Sequence, residues 1–132
     1  QNKQQKQFYY LSLLNNNNKW HIHGLWPQYE HNKYPSFCNK NENFDYNSIK
    51  PILNELNTNW YSDKETNEEF WKHEWLKHGT CMFNNCSEQN YFKTALNLFD
   101  ESKSKNVIEK YVIKGTNKSM IPYNLNFDII NN

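Results

Sequence analysis

The chain has 132 residues with 15 lysines, no arginine and 14 acidic residues, for a net charge of +1. That is one domain's length with no basic field over it, which excludes a broad electrostatic grip on nucleic acid and leaves only local affinity. No apolar run of about 18 residues exists, which excludes a membrane-spanning helix. A mean hydropathy of −1.09 would suit a disordered chain, but aromatics at 17% supply a core that aliphatics alone would not.

The opening Gln1-Asn2-Lys3-Gln4-Gln5 has no signal-peptide character and reads as a processed or trimmed start. Residues 7–14 are aromatic and aliphatic enough for a buried strand, and Asn15 to Asn18 read as the turn after it. Residues 20–24 alternate as a second strand that Pro27 ends. On that strand His21 and His23 share one face and Ile22 takes the other. Residues 29–44 are polar and irregular, a loop. Residues 45–56 predict a helix with Ile49, Ile52, Leu53 and Leu56 on one face and Pro51 in the first turn or at a kink. Thr66-Asn67-Glu68-Glu69 is a capping box that starts a helix running to about Lys77, with Gly79 as its stop. Ser87 caps the next helix, whose inner face is Tyr91, Phe92, Ala95, Leu96 and Phe99. A short helix is predicted over residues 104–114, closed by Gly115. Residues 120–132 could begin a helix or a strand. No repeat or linker interrupts the chain, which predicts one domain over residues 1–132.

Two segments concentrate the chemistry. Trp20-His21-Ile22-His23-Gly24-Leu25-Trp26-Pro27 and Phe70-Trp71-Lys72-His73-Glu74-Trp75-Leu76-Lys77-His78-Gly79-Thr80-Cys81 hold His21, His23, His73 and His78, that is, every histidine except His31. A histidine pair can keep a proton donor and a proton acceptor together near neutral pH. A lysine can carry charge that develops on phosphate, and tryptophan offers a flat face to a nucleobase. On the capped helix, His73 to Lys77 and Glu74 to His78 are each four apart, so all four side chains share one side. Half-buried titratable groups among Phe70, Trp71 and Trp75 are costly unless used. The pattern reads as a metal-free RNA-cleaving site. The zinc-protease reading fails on spacing, because His73 and His78 are five apart and the motif needs i and i+4. Cys38, Cys81 and Cys86 fit no zinc pattern and allow one disulfide plus one leftover thiol. Asn85-Cys86-Ser87 and Asn117-Lys118-Ser119 are glycosylation acceptor sequences.

Ile22-His23-Gly24-Leu25-Trp26-Pro27 and the run Phe70-Trp71, His73-Glu74-Trp75, Lys77-His78-Gly79-Thr80-Cys81 together resemble the two active-site signatures of the ribonuclease T2 family. The resemblance extends more loosely over residues 8–123. It implies an α+β fold, an antiparallel sheet packed against helices, with the site in a cleft on the sheet. It implies cleavage of single-stranded RNA through a 2′,3′-cyclic phosphate, with no metal or other cofactor. His78 would be the general base and His23 the general acid. Glu74 and Lys77 would hold the phosphorane, and His73 would bind phosphate. Trp26 would stack on one base and Phe70 would line the second subsite. Gln28 stands where many relatives carry an acid that reads adenine, which implies low base specificity. His21 takes the place of a small hydroxyl residue and is expected to be an exposed strand histidine. His31 is expected to be a loop histidine. Cys38 and Cys81 match a family disulfide, which implies an oxidising compartment, secreted or endolysosomal/vacuolar. The chain departs from the family in lacking a Trp-Pro and a cysteine after the first strand, and in stopping at Asn132. Those departures imply a minimal member or a shortened form. The alternative is a catalytically weak or inactive RNA-binding or effector protein on the same scaffold.

Overall fold

The computed structural model describes residues 6–131; the reading of Gln1 to Gln5 lies outside the described residues. β1 (Phe8–Asn16) turns into β2 (Lys19–Gln28), four helices follow, and β3 (Lys118–Tyr123) returns to the sheet. The strand order is β2-β1-β3, antiparallel throughout. Asn17 and Asn18, at φ 54° and 64°, make the hairpin connection, and asparagine tolerates that conformation better than most residues. The turn is therefore two residues long and β1 extends through Asn16.

One sheet face is dry. Tyr9, Leu11, Leu13, Ile22, Leu25, Ile121 and Tyr123 are all at most 1% exposed. Against them lie the inner faces of α1 (Tyr46–Ile49), α2 (Leu53–Asn59), α3 (Asn67–Lys77) and α4 (Glu88–Ser104). Trp60, Trp71, Trp75, Tyr91, Phe92 and Phe99 form most of that cover, so the aromatic excess is the core. Among the described residues no helix is long and apolar enough to cross a membrane.

The sequence reading changes at several places. Pro27 does not end β2; it pairs with Tyr9. β2 is an edge strand, and Pro27 is in step with Leu25, whose carbonyl points off the free edge. The missing proline N–H therefore costs no ladder bond. The predicted helix over residues 45–56 is α1 and α2 joined by a 3-10 turn at Lys50–Ile52, with Pro51 in that turn. No α-helix forms over residues 104–114. α4 runs to Ser104 and Asn106 stops it at φ 55°. The N–H of Val107 donates to Ser102 O and that of Asn106 to Lys103 O, the bonding of a Schellman end. Only a 3-10 turn at Glu109–Tyr111 follows. Gly79 does not stop α3 by a left-handed turn. His78 is the C-cap and a 3-10 turn continues. Gly79 is small because a Cβ there would collide with the Trp75 ring and crowd Tyr91.

The loop over residues 29–44 is fastened to the end of α3. Cys38 and Cys81 form a disulfide with Cα atoms 5.2 Å apart. The Phe37 N–H donates to Lys77 O at 2.9 Å and the Cys38 N–H to Thr80 Oγ1 at 3.1 Å. Cys86 is the free cysteine. Thiol titration of the folded chain is expected to find one free thiol. The double substitution Cys38→Ser with Cys81→Ser is expected to cost about 4 kcal/mol in denaturant unfolding; an unchanged midpoint would show that the bridge does not constrain the unfolded chain.

Candidate active site

The register between β1 and β2 slips once. Ser12 opposes Gly24 and Leu13 opposes Ile22, so His23 is an extra residue in β2. This bulge resets the alternation. Ile22 and Leu25 both reach the core, while His21, His23 and Trp26 face the other side. The expectation that His21 and His23 share a face holds, but His21 is not exposed. It is 2% exposed and stacks on Tyr61 with centroids 4.1 Å apart. The site face continues across the sheet. Leu14 stands between His21 and Lys118, Ser12 pairs with Met120, and Tyr10 pairs with Trp26 and Pro122.

α3 closes the site from the edge of β2. Thr66 Oγ1 accepts from the Glu69 N–H and starts the helix. Trp71 and Trp75 turn into the core, and Glu74 and His78 are carried to the cleft, 2% and 5% exposed. His73 and Lys77 flank them on the more open side. Glu74 Oε1 accepts from Trp26 Nε1 at 2.9 Å. A Cβ on Gly24 would collide with both atoms of that bond, so only glycine leaves room for it. Gly24 stands within the motif without a role in the sequence reading; the fold supplies one in this close approach.

Trp26 organises both imidazoles. Its ring lies edge-on to His23 at 5.0 Å and stacks on His78 at 5.1 Å. The Nδ1 atoms of His23 and His78 are buried without a side-chain or backbone partner. Nε2 is therefore the nitrogen each ring presents to the cleft. Burial first, and then the charges of Lys118, His21, His73 and Lys64, push His23 down to about 4. Burial, then Lys77, His73 and His23, push His78 down to about 3. Burial pushes Glu74 up to about 8, against the opposing pull of Trp26 and Lys77. All three groups are thus held neutral by desolvation around neutral pH.

Two cavities meet at this cluster. The first, about 310 Å³, is lined by His23, Trp26, Gln28, Tyr34, Lys77 and His78 among others. The second, about 510 Å³, includes Leu14, Tyr61, Asp63, Lys64, Phe70 and Lys118. His23, His73 and Glu74 line both. The structure therefore brings His23, His73, Glu74, Lys77, His78, Trp26, Gln28 and Phe70 to one continuous cleft. Gln28 is 3% exposed, and its Nε2 donates to Glu30 O and His31 O at 2.9 and 3.2 Å. His31 is in the loop, as read from sequence, and hydrogen-bonds Tyr10 OH at 3.0 Å. The sequence reading missed Tyr34 and Phe37. They are 46% and 51% exposed, beside His78 and His73. Exposed aromatics next to Cys38 were the available signal. Among the described residues no His, Cys, Asp and Glu side chains converge as a metal-ligand set.

The neutral groups set the pH dependence of stability. The unfolded histidines gain protons below about 6.5 while His23 and His78 stay neutral in the fold, so stability falls as pH drops from 6.5. Unfolded Glu74 ionises above about 4.5 while the folded carboxyl holds its proton to about 8, so its share is lost as pH rises over that window. Below 6.5 the histidines dominate, with His21 lowered by burial in the same direction. Above it the raised carboxyls remain, Glu74 foremost, with Glu88 raised in the same direction. Melting temperature is expected to peak near pH 6.5. Glu74→Gln, which keeps an acceptor for Trp26, is expected to flatten the decline between pH 6.5 and 8. An equal decline in the variant would overturn the assignment. Gly24→Ala is expected to cost about 1–3 kcal/mol by displacing Trp26 from Glu74, read from the same melts.

Comparison with known proteins agrees with this geometry. Ribonuclease 1 of Arabidopsis thaliana is 38% identical over 101 residues, covering 74% of this chain and 44% of that protein. Ribonuclease MC1 from bitter gourd seeds superposes with a TM-score of 0.63 at 26% identity, covering 80% of this chain and 62% of the other. A mutant of that enzyme is known in complex with 5′-GMP. RNase NT shares the fold at a TM-score of 0.72 and 22% identity, over 96% of this chain and 90% of its own. The chain spans less than half the length of the curated relatives it matches. A family model described as Ribonuclease T2 family matches residues 1–126, and with the signatures of β2 and α3 facing each other across one cleft, the chain belongs to the ribonuclease T2 family.

Proposed function

We propose that this chain is a metal-independent endoribonuclease that cleaves single-stranded RNA by transphosphorylation, with low base specificity. The observation that carries the proposal is the cleft itself. Two imidazoles with free Nε2 atoms, a buried carboxyl and a lysine surround one point where two cavities join. The ribose 2′-OH attacks the adjacent phosphorus and the 5′-oxygen leaves. His78 takes the proton of the 2′-OH and His23 gives one to the leaving oxygen. The products are a 2′,3′-cyclic phosphate and a free 5′-OH. Lys77 offsets the charge of the phosphorane, and His73 holds a phosphate oxygen. The Trp26 N–H occupies Glu74 Oε1, which leaves the carboxyl proton on Oε2 to donate to the phosphorane. Trp26 and Phe70 serve the two bases, and Gln28 lines the first base's cavity.

A role in RNA binding alone would leave the buried acid–base pair without a use, and burial of such groups is costly. One continuous core and the family match over residues 1–126 support a single ribonuclease T2-like domain over residues 1–132. The Cys38–Cys81 disulfide fits an oxidising compartment; secreted or endolysosomal/vacuolar residence, with glycosylation at Asn85 and Asn117, belongs with this reading.

Incubation with single-stranded RNA in excess EDTA is expected to give cyclic phosphate ends, and the 2′-deoxy analogue is expected to resist. Metal dependence would overturn the proposal. His23→Ala and His78→Ala are each expected to lose about 10²–10⁴-fold in kcat while staying folded by melting temperature. The burial of both imidazoles moves the bell of kcat/KM to the acid side of the ordinary histidine value, since His23 must be charged and His78 neutral. The bound anionic phosphate favours imidazolium and shifts the kcat profile upward. A kcat/KM optimum above pH 7 would contradict these roles.

A further inference from the structure

We infer that Lys118 contacts a backbone phosphate outside the scissile linkage, so that the second cavity accepts an RNA longer than a dinucleotide; this rests on the ribonuclease reading above. Lys118 opens β3 and pairs with Leu14, which pairs in turn with His21. Partners across an antiparallel ladder share a face. Lys118 is therefore on the face that carries His21, His23 and Trp26, at the end away from Gln28. It lines the second cavity and not the first.

The scissile phosphate belongs at His23, His73 and Glu74, where the cavities join. A strand lying along the cleft passes from there over Leu14 and Phe70 to Lys118, and its next phosphate falls in the second cavity. Lys118 is exposed and enters none of the ion pairs found among the described residues, so its ammonium is available. Lys64 lines the same cavity. The acids there, Asp63 and Glu65, belong to the segment between α2 and α3. Asp63 is engaged by the Asn16 side-chain amide at 2.7 Å. Acids on that wall and a lysine on the sheet floor direct an anionic backbone toward the floor. After burial, the charge of Lys118 is the first to act on His23, which is consistent with an ammonium close to the reacting centre. With no arginine in the chain, a lysine point charge is the available means of holding that phosphate.

The test compares a dinucleoside monophosphate with a single-stranded hexamer for the native chain, Lys118→Ala and Lys118→Arg. The native chain is expected to have a lower KM for the hexamer. Lys118→Ala is expected to reduce that length preference roughly tenfold, the effect of one lost charge-assisted hydrogen bond. Lys118→Arg is expected to restore it. A second arm measures the dissociation constant of an uncleavable 2′-deoxy hexamer over a salt series. Lys118→Ala is expected to weaken binding and to lower the slope of log Kd against log salt by about 0.7, one phosphate's worth. An unchanged length preference and salt slope in Lys118→Ala overturn the inference. If the native chain cuts neither RNA, the ribonuclease reading fails, and the binding arm still decides the role of Lys118.

Discussion

The carbonyl oxygens of His23 and Leu25 point off the free edge of β2, and no neighbouring strand supplies their donors. Trp60 Nε1 donates to His23 O at 3.1 Å and Tyr91 OH donates to Leu25 O at 2.9 Å. Trp71 Nε1 in turn donates to Trp60 O at 2.6 Å. A buried carbonyl without a donor costs about 1–3 kcal/mol, so these three bonds fix where the helices dock against the edge. They also hold the bulge at His23. Because α3 is pinned through Trp71, the opposite side of the same helix delivers Glu74 and His78 to Trp26. The aromatic core and the polar site are thus two sides of one arrangement.

That arrangement explains why the site is neutral. With the edge and helices so docked, Trp26 packs on both imidazoles and holds Glu74, Phe70 lies beside His23 and Tyr34 beside His78, and these rings strip water from the three groups. Desolvation is the largest influence on each of the three. The lysines Lys77, Lys64 and Lys118 stay at the rim, nearer solvent, with His73 beside them. A site of this kind is poised to accept an anion. A bound phosphate would supply the counter-charge that the burial withholds and would draw protons onto the imidazoles.

Much of this was legible in the sequence, and the limits have physical causes. The Thr66 cap, the helical spacing of His73, Glu74, Lys77 and His78, and the inner face of α4 follow from local rules and appear as read. The asparagine turn appears with only its last two residues, Asn17 and Asn18, in the turn. The bulge does not, because a strand's alternation cannot show that its partner lacks one residue. Pro27 as strand end and residues 104–114 as helix failed for a related reason. Whether β2 is an edge, and whether Asn106 can turn left-handed, depend on the neighbours. His21 was read as exposed because Tyr61, which covers it, comes from a segment 40 residues away with no pattern of its own.

The same limit applies to Gln28, whose residue type suggests a versatile reader of bases. In the fold its donor half is committed to the carbonyls of Glu30 and His31, which shape the loop that leads to Tyr34. Only the acceptor Oε1 is left for a ligand. A single acceptor can receive from the exocyclic amine of adenine, cytosine or guanine, so it separates them weakly. Strong discrimination needs paired donors and acceptors that go unsatisfied with the wrong base. The low base specificity proposed above is what the loop's own hydrogen bonding would produce, since freeing Nε2 to read a base would release the turn that positions the cleft's rim.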